Sequence, residues 1–382
     1  MRCDAGECSV LLMLDLTSAF DTVDHHILLD RLRHWVGISG VALDWFESYL
    51  HKRSFSVATS KYSSSSTFLA YGVPQGSVLG PLLFLLYLLP LQHLLSTFKD
   101  ISYHCYADDI QLYISFKPHD VSKLQILHRC IESIRCWMAG NFLQLNEEKT
   151  EVLVCAPKNF VPSVLENLGP LATFARPSIR SLGVSIDSAL TLDAHVKSLV
   201  RSCFYHLRNI AKLSPIVSRS KLEIVIHAFV SSHLDYCNSL FTCLCKASLE
   251  HLQVVQNAAA KRLTKSSKFS HVTPLLIQLH WLPVKFRIQF KVLTLTFRAL
   301  HGQAPTYISE LLHPYIPSRS LRSCDQGLLA VQHTRLKTKG DKAFVTVAPR
   351  LWNSLPLSLR SADSVVAFKK QLKTHLFKLA FG

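Results

Sequence analysis

Between Lys61 and Lys99 the chain carries no Asp, Glu, Lys or Arg, and Leu82 to Leu91 within that stretch is almost pure hydrocarbon. Such a segment can enter a bilayer or a protein core. Gly80, Pro81 and Pro90 interrupt the run that begins at Val78, and the residues before it are rich in serine. The unbroken apolar piece is about half of the roughly 20 residues that cross a membrane. A helix buried in a core is therefore expected, and no membrane partner. The core needs enough chain around it. The 382 residues, 48% hydrophobic and 18% charged, suffice for two or three domains and do not have the profile of a disordered protein.

Flanking segments supply partners for that helix. Ser9–Leu14 is apolar without helical spacing and ends abruptly at Asp15, as a buried strand would whose end presents a carboxylate. From Val23 to Val36 the period becomes helical, with Ile27, Leu28, Leu32 and Trp35 on one face and Gly37 as a stop. A second helix follows, with Ser39 as its N-cap and Leu43, Phe46 and Leu50 spaced for burial. Phe55–Ser60 and Phe68–Tyr71 flank a serine-rich turn and predict a hairpin. Gly72–Gly76 is a loop by composition. Ile101–Ala107 and Ile110–Phe116 are β-type segments around Asp108-Asp109, predicting a tight hairpin with two acids at its tip. Val121, Leu124, Ile131, Ile134 and Met138 mark a long amphipathic helix, and Val152–Cys155 a short strand. Strands interleaved with helices argue for a layered α/β domain, and beyond about residue 190 the pattern is mainly helical.

The net charge of +16 is unevenly divided. Residues 1–156 hold 12 Lys and Arg against 16 Asp and Glu, whereas residues 157–382 hold 30 against 10. A carboxylate-bearing part joined to a strongly basic part suggests chemistry in the first and grip on a polyanion in the second. Lys261, Arg262, Lys265 and Lys268 form the cluster expected to neutralise a nucleic-acid backbone, against the plain alternative of a solvated basic face. Eleven cysteines, an odd number, and no secretory leader point to a reducing intracellular compartment, cytoplasm or nucleus. Cys237, Cys243 and Cys245, with His233 and His251 nearby, lack the paired spacing of structural zinc sites, so buried thiols on apolar helices are the simpler reading.

Asp15 stands at a strand end, and Asp108 and Asp109 at a hairpin tip 93 residues later. Alone, each is the acid of an ordinary turn. On neighbouring hydrogen-bonded strands they would share one edge of a sheet, where carboxylates repel strongly unless divalent cations lie between them. Two such ions would lower the pKa of an attacking hydroxyl and stabilise a leaving pyrophosphate oxygen, which is phosphoryl transfer by positioning and electrostatics.

Tyr106-Ala107-Asp108-Asp109 resembles the signature of reverse transcriptases, and Leu14-Asp15-Leu16-Thr17-Ser18-Ala19-Phe20-Asp21 looks like the first palm motif of non-LTR (LINE-type) retrotransposon enzymes. Gly72-Val73-Pro74-Gln75-Gly76-Ser77-Val78-Leu79-Gly80-Pro81 is similar to their second motif and Leu145-Asn146-Glu147-Glu148-Lys149-Thr150-Glu151 to the fourth. Leu182-Gly183-Val184 with Asp187 resembles the strand region before the thumb. Five motifs in the family's order make the resemblance specific. His280-Trp281-Leu282-Pro283-Val284 and the Pro349–Pro356 segment look like the C-terminal segments of the CR1/L2-like branch.

The resemblance implies an α/β (α+β) polymerase palm with an antiparallel sheet and packed helices over residues 1–188. A helical thumb-like region over 189–265 and a basic C-terminal region over 266–382 would follow. It implies an RNA-directed DNA polymerase using an RNA template, a DNA primer, deoxynucleoside triphosphates and two Mg²⁺ ions, with Mn²⁺ as a substitute. Asp15 and Asp108 would be the main metal ligands, with Asp109 the second acid of the pair and the Leu16 carbonyl close to one ion. Phe20 would lie under the incoming sugar and exclude a 2′-hydroxyl. Gln75 and Gly76 would line the nucleotide site, and Lys149 would approach the triphosphate.

RNA-templated RNA polymerases also use a two-acid hairpin, but Phe20 and the Tyr106-Ala107 pair both point to DNA synthesis. Leu88-Leu89-Pro90 departs from the Asn-Asp pair often found after the second-motif helix. With Asp15 so close to the start, the chain is expected to lack the upstream endonuclease and most of the fingers. The alternative function is a catalytically silent element remnant that binds nucleic acid through its basic half.

Overall fold

A computed structural model describes residues 2–316, 327–337 and 339–382. They divide into two compact units, one of Arg2 and Gly6–Ile179, the other of Cys3–Ala5 and Arg180–Gly382. The first unit runs β1 (Cys8–Leu14), α1 (His25–His34), α2 (Val41–Leu50), β2 (Ser54–Phe55), β3 (Thr67–Phe68) and α3 (Gly80–Ser96). It continues with β4 (Ile101–Tyr106), β5 (Asp109–Phe116), α4 (Leu124–Ala139), β6 (Glu151–Cys155) and α5 (Val161–Asn167).

Its sheet has the order β4-β5-β1-β6 and is antiparallel throughout. β1, apolar along almost its whole length, is central and pairs with β5 on one side and β6 on the other. Val10, Leu12 and Leu14 pair with Ile114, Leu112 and Ile110 of β5, and all six are buried in one core with side chains of α1, α3 and α4. The intervening Ser9, Leu11 and Met13 point to the other face, and Asp15 continues their series.

α3 is the charge-free segment. Leu83, Phe84, Tyr87, Leu88 and Leu91 are buried, but Leu82 and Leu85 are 51% and 46% exposed, so the helix buries a stripe rather than its whole circumference. No helix among the described residues is long and apolar enough to cross a membrane.

Two local expectations change. α2 is entered through Gly40, at φ 60°, not capped by Ser39, because the chain turns sharply between α1 and α2 and needs a left-handed residue there. The hairpin expected over Phe55–Tyr71 shrinks to two-residue strands and one Ala58–Ser63 bridge. Both strands are exposed, so no buried face rewards a longer ladder.

Next comes a hairpin of β7 (Ser178–Ser181) and β8 (Val184–Asp187), turning through Leu182 and Gly183 at φ 45° and 82°. The rest is helical, with α6 (Asp193–Leu213), α7 (Arg219–Ile226), α8 (Ser232–Asp235), α9 (Lys246–Leu263) and α10 (Val272–Gln278) first. α11 (Val284–Leu300), α12 (Thr306–Ser309), α13 (Phe344–Asn353), α14 (Leu357–Arg360) and α15 (Val365–Phe381) complete it. Two cores fill this unit and meet on α11, which gives Val284 and Ile288 to one and Val292, Leu293 and Phe297 to the other. Cys3–Ala5 belong here because buried Asp4 accepts from the amides of Arg335 (2.8 Å) and Leu336 (2.6 Å), which hold its carboxyl below the usual range.

Candidate active site

Leu14 pairs with Ile110, so the next step of the β1–β5 register sets Asp15 opposite Asp109. Tyr106 faces Asp109 across the β4–β5 hairpin, leaving Ala107 and Asp108 as its turn, with Ala107 at φ 53°. Opposed residues on antiparallel strands have Cα atoms roughly 4.5–5.5 Å apart. Three carboxylates therefore crowd one end of the sheet. Asp109 registers this: burial first, then the charges of Asp108 and Asp15, raise its carboxyl above the ordinary 3.8, and Lys149 pulls the other way.

Lys149 arrives through an irregularity in the opposite edge. Leu16 forms an antiparallel bridge with Leu145, flanked by Asn146 N donating to Asp15 O (2.8 Å) and Thr17 N to Gln144 O (2.9 Å). Between this bridge and the Met13–Glu151 pair, two residues of one strand, Leu14 and Asp15, face the five from Asn146 to Thr150. The surplus folds into a 3₁₀ turn over Glu147–Lys149, capped by Asn146 Oδ1 on Lys149 N (3.3 Å) and pinned by Arg135 on Glu147 (3.1 Å). Lys149 Nζ thereby stands 3.0 Å from Asp15 Oδ2. The buried Oδ2 therefore has the Lys149 ammonium as its partner. Contact with Asp15, then its charge and those of Asp108 and Asp109, raises the Lys149 pKa, so its ammonium stays charged at neutral pH.

The Leu16 side chain is buried, and its neighbours carry the hydrogen bonds of the Leu145 edge. Alternation along the strand directs the Leu16 carbonyl to the other side, toward β5. Hard carboxylate oxygens, crowded enough to raise the Asp109 pKa, fit a divalent cation such as Mg²⁺. In this arrangement Lys149 supplies the counter-charge, and no three His, Cys, Asp or Glu side chains among the described residues close to metal-holding distance. That holds also for Cys237, Cys243 and Cys245, which are free thiols; burial pushes Cys243 up to about 11.

Phe20, Gln75 and Gly76 form a neighbouring group. Val73 N donates to Phe20 O (2.8 Å) and Gly72 N to Val23 O (2.7 Å), lashing the loop to the turn after β1. The approach is tight enough that Gly72, at φ 91°, is required: a Cβ there would lie 2.9 Å from Asp21 O. Phe20 is half-buried against the ring of Phe84, centroids 4.8 Å apart. Gln75 is exposed, and its amide donates to both Asp21 carboxylate oxygens (3.2 and 3.4 Å). Gly76 is exposed at φ 80°.

For Asp21 and Gly72 the one signal in the sequence is their place in the motifs. Arg31 gave none. It is 5% exposed, lies over the Tyr87 and Trp137 rings (4.3 and 5.4 Å), and donates to Asn141, tying α1 to α3 and the end of α4. Burial holds its pKa below the ordinary value.

A family profile described as reverse transcriptase (RNA-dependent DNA polymerase) matches residues 2–186, which contain Asp15, Phe20, Gln75, Gly76, Asp108, Asp109 and Lys149. Residues 2–186 are a reverse transcriptase domain. Relatives extend past it. A probable RNA-directed DNA polymerase from transposon BS of Drosophila melanogaster is 27% identical over 68% of this chain and 29% of its own length. The corresponding protein of the X-element of the same fly is 27% identical over 71% of this chain and 30% of its own. That of the mobile element jockey of Drosophila funebris is 27% identical over 69% and 28%. The chain thus spans under a third of the length of these relatives. Among solved structures, telomerase of Candida albicans in complex with a TWJ fragment of telomeric RNA matches 74% of this chain and 48% of its own, with TM-score 0.36 and 15% identity.

Lys261, Arg262, Lys265 and Lys268 lie beyond the reverse transcriptase domain. The structure brings all four into one concavity of about 630 Å³ at the C-terminal end of α9, with no acidic side chain among its walls.

Proposed function

We propose that the chain is an RNA-directed DNA polymerase segment that extends a DNA primer on an RNA template with deoxynucleoside triphosphates. On this reading residues 1–188 serve as palm, 189–265 as a thumb-like region, and 266–382 as a basic C-terminal region. The observation that carries it is the convergence of Asp15, Asp108 and Asp109 at one sheet end, with the Lys149 ammonium beside Asp15. These three carboxylates, with the Leu16 carbonyl, would hold two Mg²⁺ ions, or Mn²⁺, which when bound lower the pKa of the primer hydroxyl and offset charge on the leaving pyrophosphate.

The chain's own groups do the rest. Lys149 keeps its proton and presents a point cation to the triphosphate, where it neutralises or protonates the leaving group. Phe20, braced from behind by Phe84, meets the sugar edge and leaves no room for a 2′-hydroxyl. Gln75, oriented by Asp21, and Gly76 line the nucleotide pocket. The basic concavity neutralises backbone phosphates without reading sequence.

Primer extension on an RNA template with oligo-dT, dTTP and Mg²⁺, beside Asp108→Ala, tests this. Incorporation that disappears in the variant supports the polymerase. No incorporation, even with the corresponding upstream region of a relative supplied, together with salt-sensitive duplex binding, would leave the silent nucleic-acid-binding remnant.

A further inference from the structure

A cavity of about 560 Å³ opens in the second unit among α7, α8, α11, α15 and the Leu279–Leu282 turn. The helix that begins as α7 and ends as α8 changes to π geometry over His227–Ser231, with Ser232 N reaching back to His227 O. Such turns are uncommon and recur at functional sites. Here it sets His227, exposed and backed by Trp281 with rings 5.4 Å apart, on the cavity wall.

After α8, Cys237 takes φ 50° and drives Asn238 inward to 3% exposure. Asp235, gripped by Arg287 through two hydrogen bonds (one of 2.8 Å), accepts from Asn238 Nδ2 at 3.3 Å. A carboxylate only accepts, so the amide orientation is determined, and Asn238 Oδ1 is left buried without a donor in a residue lining the cavity. Lys291 of α11 and Lys373 of α15 bring two cations to the rim, neither paired with an acid among the described residues.

Two carboxylates also line the wall, Glu223, 3.7 Å from His227, and Asp235, held by Arg287, and the remaining groups define a ligand. A buried carbonyl oxygen asks for an N–H or O–H donor, which an ionised phosphate lacks, while two free ammonium groups ask for an anion. An aromatic wall favours a flat ring between them. We infer that this cavity takes a single unpaired nucleotide: the base lies against His227, Asn238 Oδ1 accepts from an N–H of its pairing edge, and the phosphate meets Lys291 and Lys373. The site is separate from residues 2–186 and does not depend on polymerase activity.

The test titrates the full chain with AMP, adenosine and inorganic phosphate by ligand-observed NMR. Lys291 and Lys373 are exposed, so their joint replacement by alanine should leave thermal unfolding unchanged and weaken AMP roughly tenfold. Asn238→Leu should weaken AMP while sparing phosphate. Asp108→Ala should retain AMP at this site, which separates failure here from failure of the polymerase reading. Tighter binding of the dinucleotide ApA than of AMP identifies a strand as the source, equal binding a free nucleotide, and either supports the site. Phosphate binding as tightly as AMP, AMP affinity unaltered in the lysine variant, or no AMP binding at millimolar concentration would overturn it.

Discussion

Replacing Gly72 with alanine would put a methyl carbon 2.9 Å from Asp21 O, 3.0 Å from its Cα and 3.1 Å from its carbonyl carbon. All three are backbone atoms, so no rotamer change relieves the contact. The residue also sits at φ 91°, where an L side chain is strained by about 1–2 kcal/mol. Overpacking adds roughly 1–3 kcal/mol, so the substitution should cost about 2–5 kcal/mol. Gly76 is the internal control. Its φ of 80° carries the same backbone strain, but an added Cβ meets nothing within 4 Å. Gly76→Ala should therefore cost only the first contribution, about 1–2 kcal/mol. Equilibrium urea unfolding of both variants by circular dichroism, fitted to the reverse transcriptase domain's transition, measures the difference. Because Gly72 N also holds the loop that carries Gln75, Gly72→Ala should raise the nucleotide KM as well. Equal destabilisation by the two substitutions would refute the close-approach reasoning.

Three further outcomes are expected. Burial and its neighbours raise the Asp109 pKa, so the stability it contributes is complete below the ordinary 3.8 and falls as pH rises through the raised value. In chelating buffer Asp109→Asn should thus melt higher than the natural chain near neutrality, with the gap closing toward about pH 3; a constant gap would refute the charge argument. Lys149 is the cation that offsets these acids, and its raised pKa means its contribution persists up to the ordinary lysine value of 10.5 and is lost as pH rises past it. Lys149→Gln should lower the melting temperature in chelator at neutral pH, and added Mg²⁺ should restore it; no response to Mg²⁺ would count against the metal reading. Each alanine substitution at Lys261, Arg262, Lys265 or Lys268 should reduce the slope of log binding constant against log salt for an RNA–DNA duplex by about one, and unchanged slopes would reduce the concavity to a solvated face.

The sequence was most informative where chemistry and period coincide. The apolar run ending at Asp15 and the β-type segments around Asp108-Asp109 announce strands whose ends hold acids, because a short apolar run without helical spacing reports burial directly. The charge-free segment announced a core helix for the same reason, although its exposed stripe at Leu82 and Leu85 is invisible in a run apolar all round. Ser39 misled because a capping residue says where a helix can start, whereas Gly40 takes the left-handed turn that the path between two packed helices requires.

What only the tertiary structure decided is register. Asp15 faces Asp109 because Leu14 pairs with Ile110, and Lys149 reaches Asp15 because five residues are fitted opposite two before β6 begins. The grip of Asp21 on Gln75, the burial of Arg31 over the Tyr87 ring and the orphaned carbonyl of Asn238 belong to the same class. Each depends on which residue of one segment comes to rest beside which residue of another, far along the chain. Periodicity records only which way a side chain faces, buried or exposed; the partner it meets is chosen when the whole core packs at once.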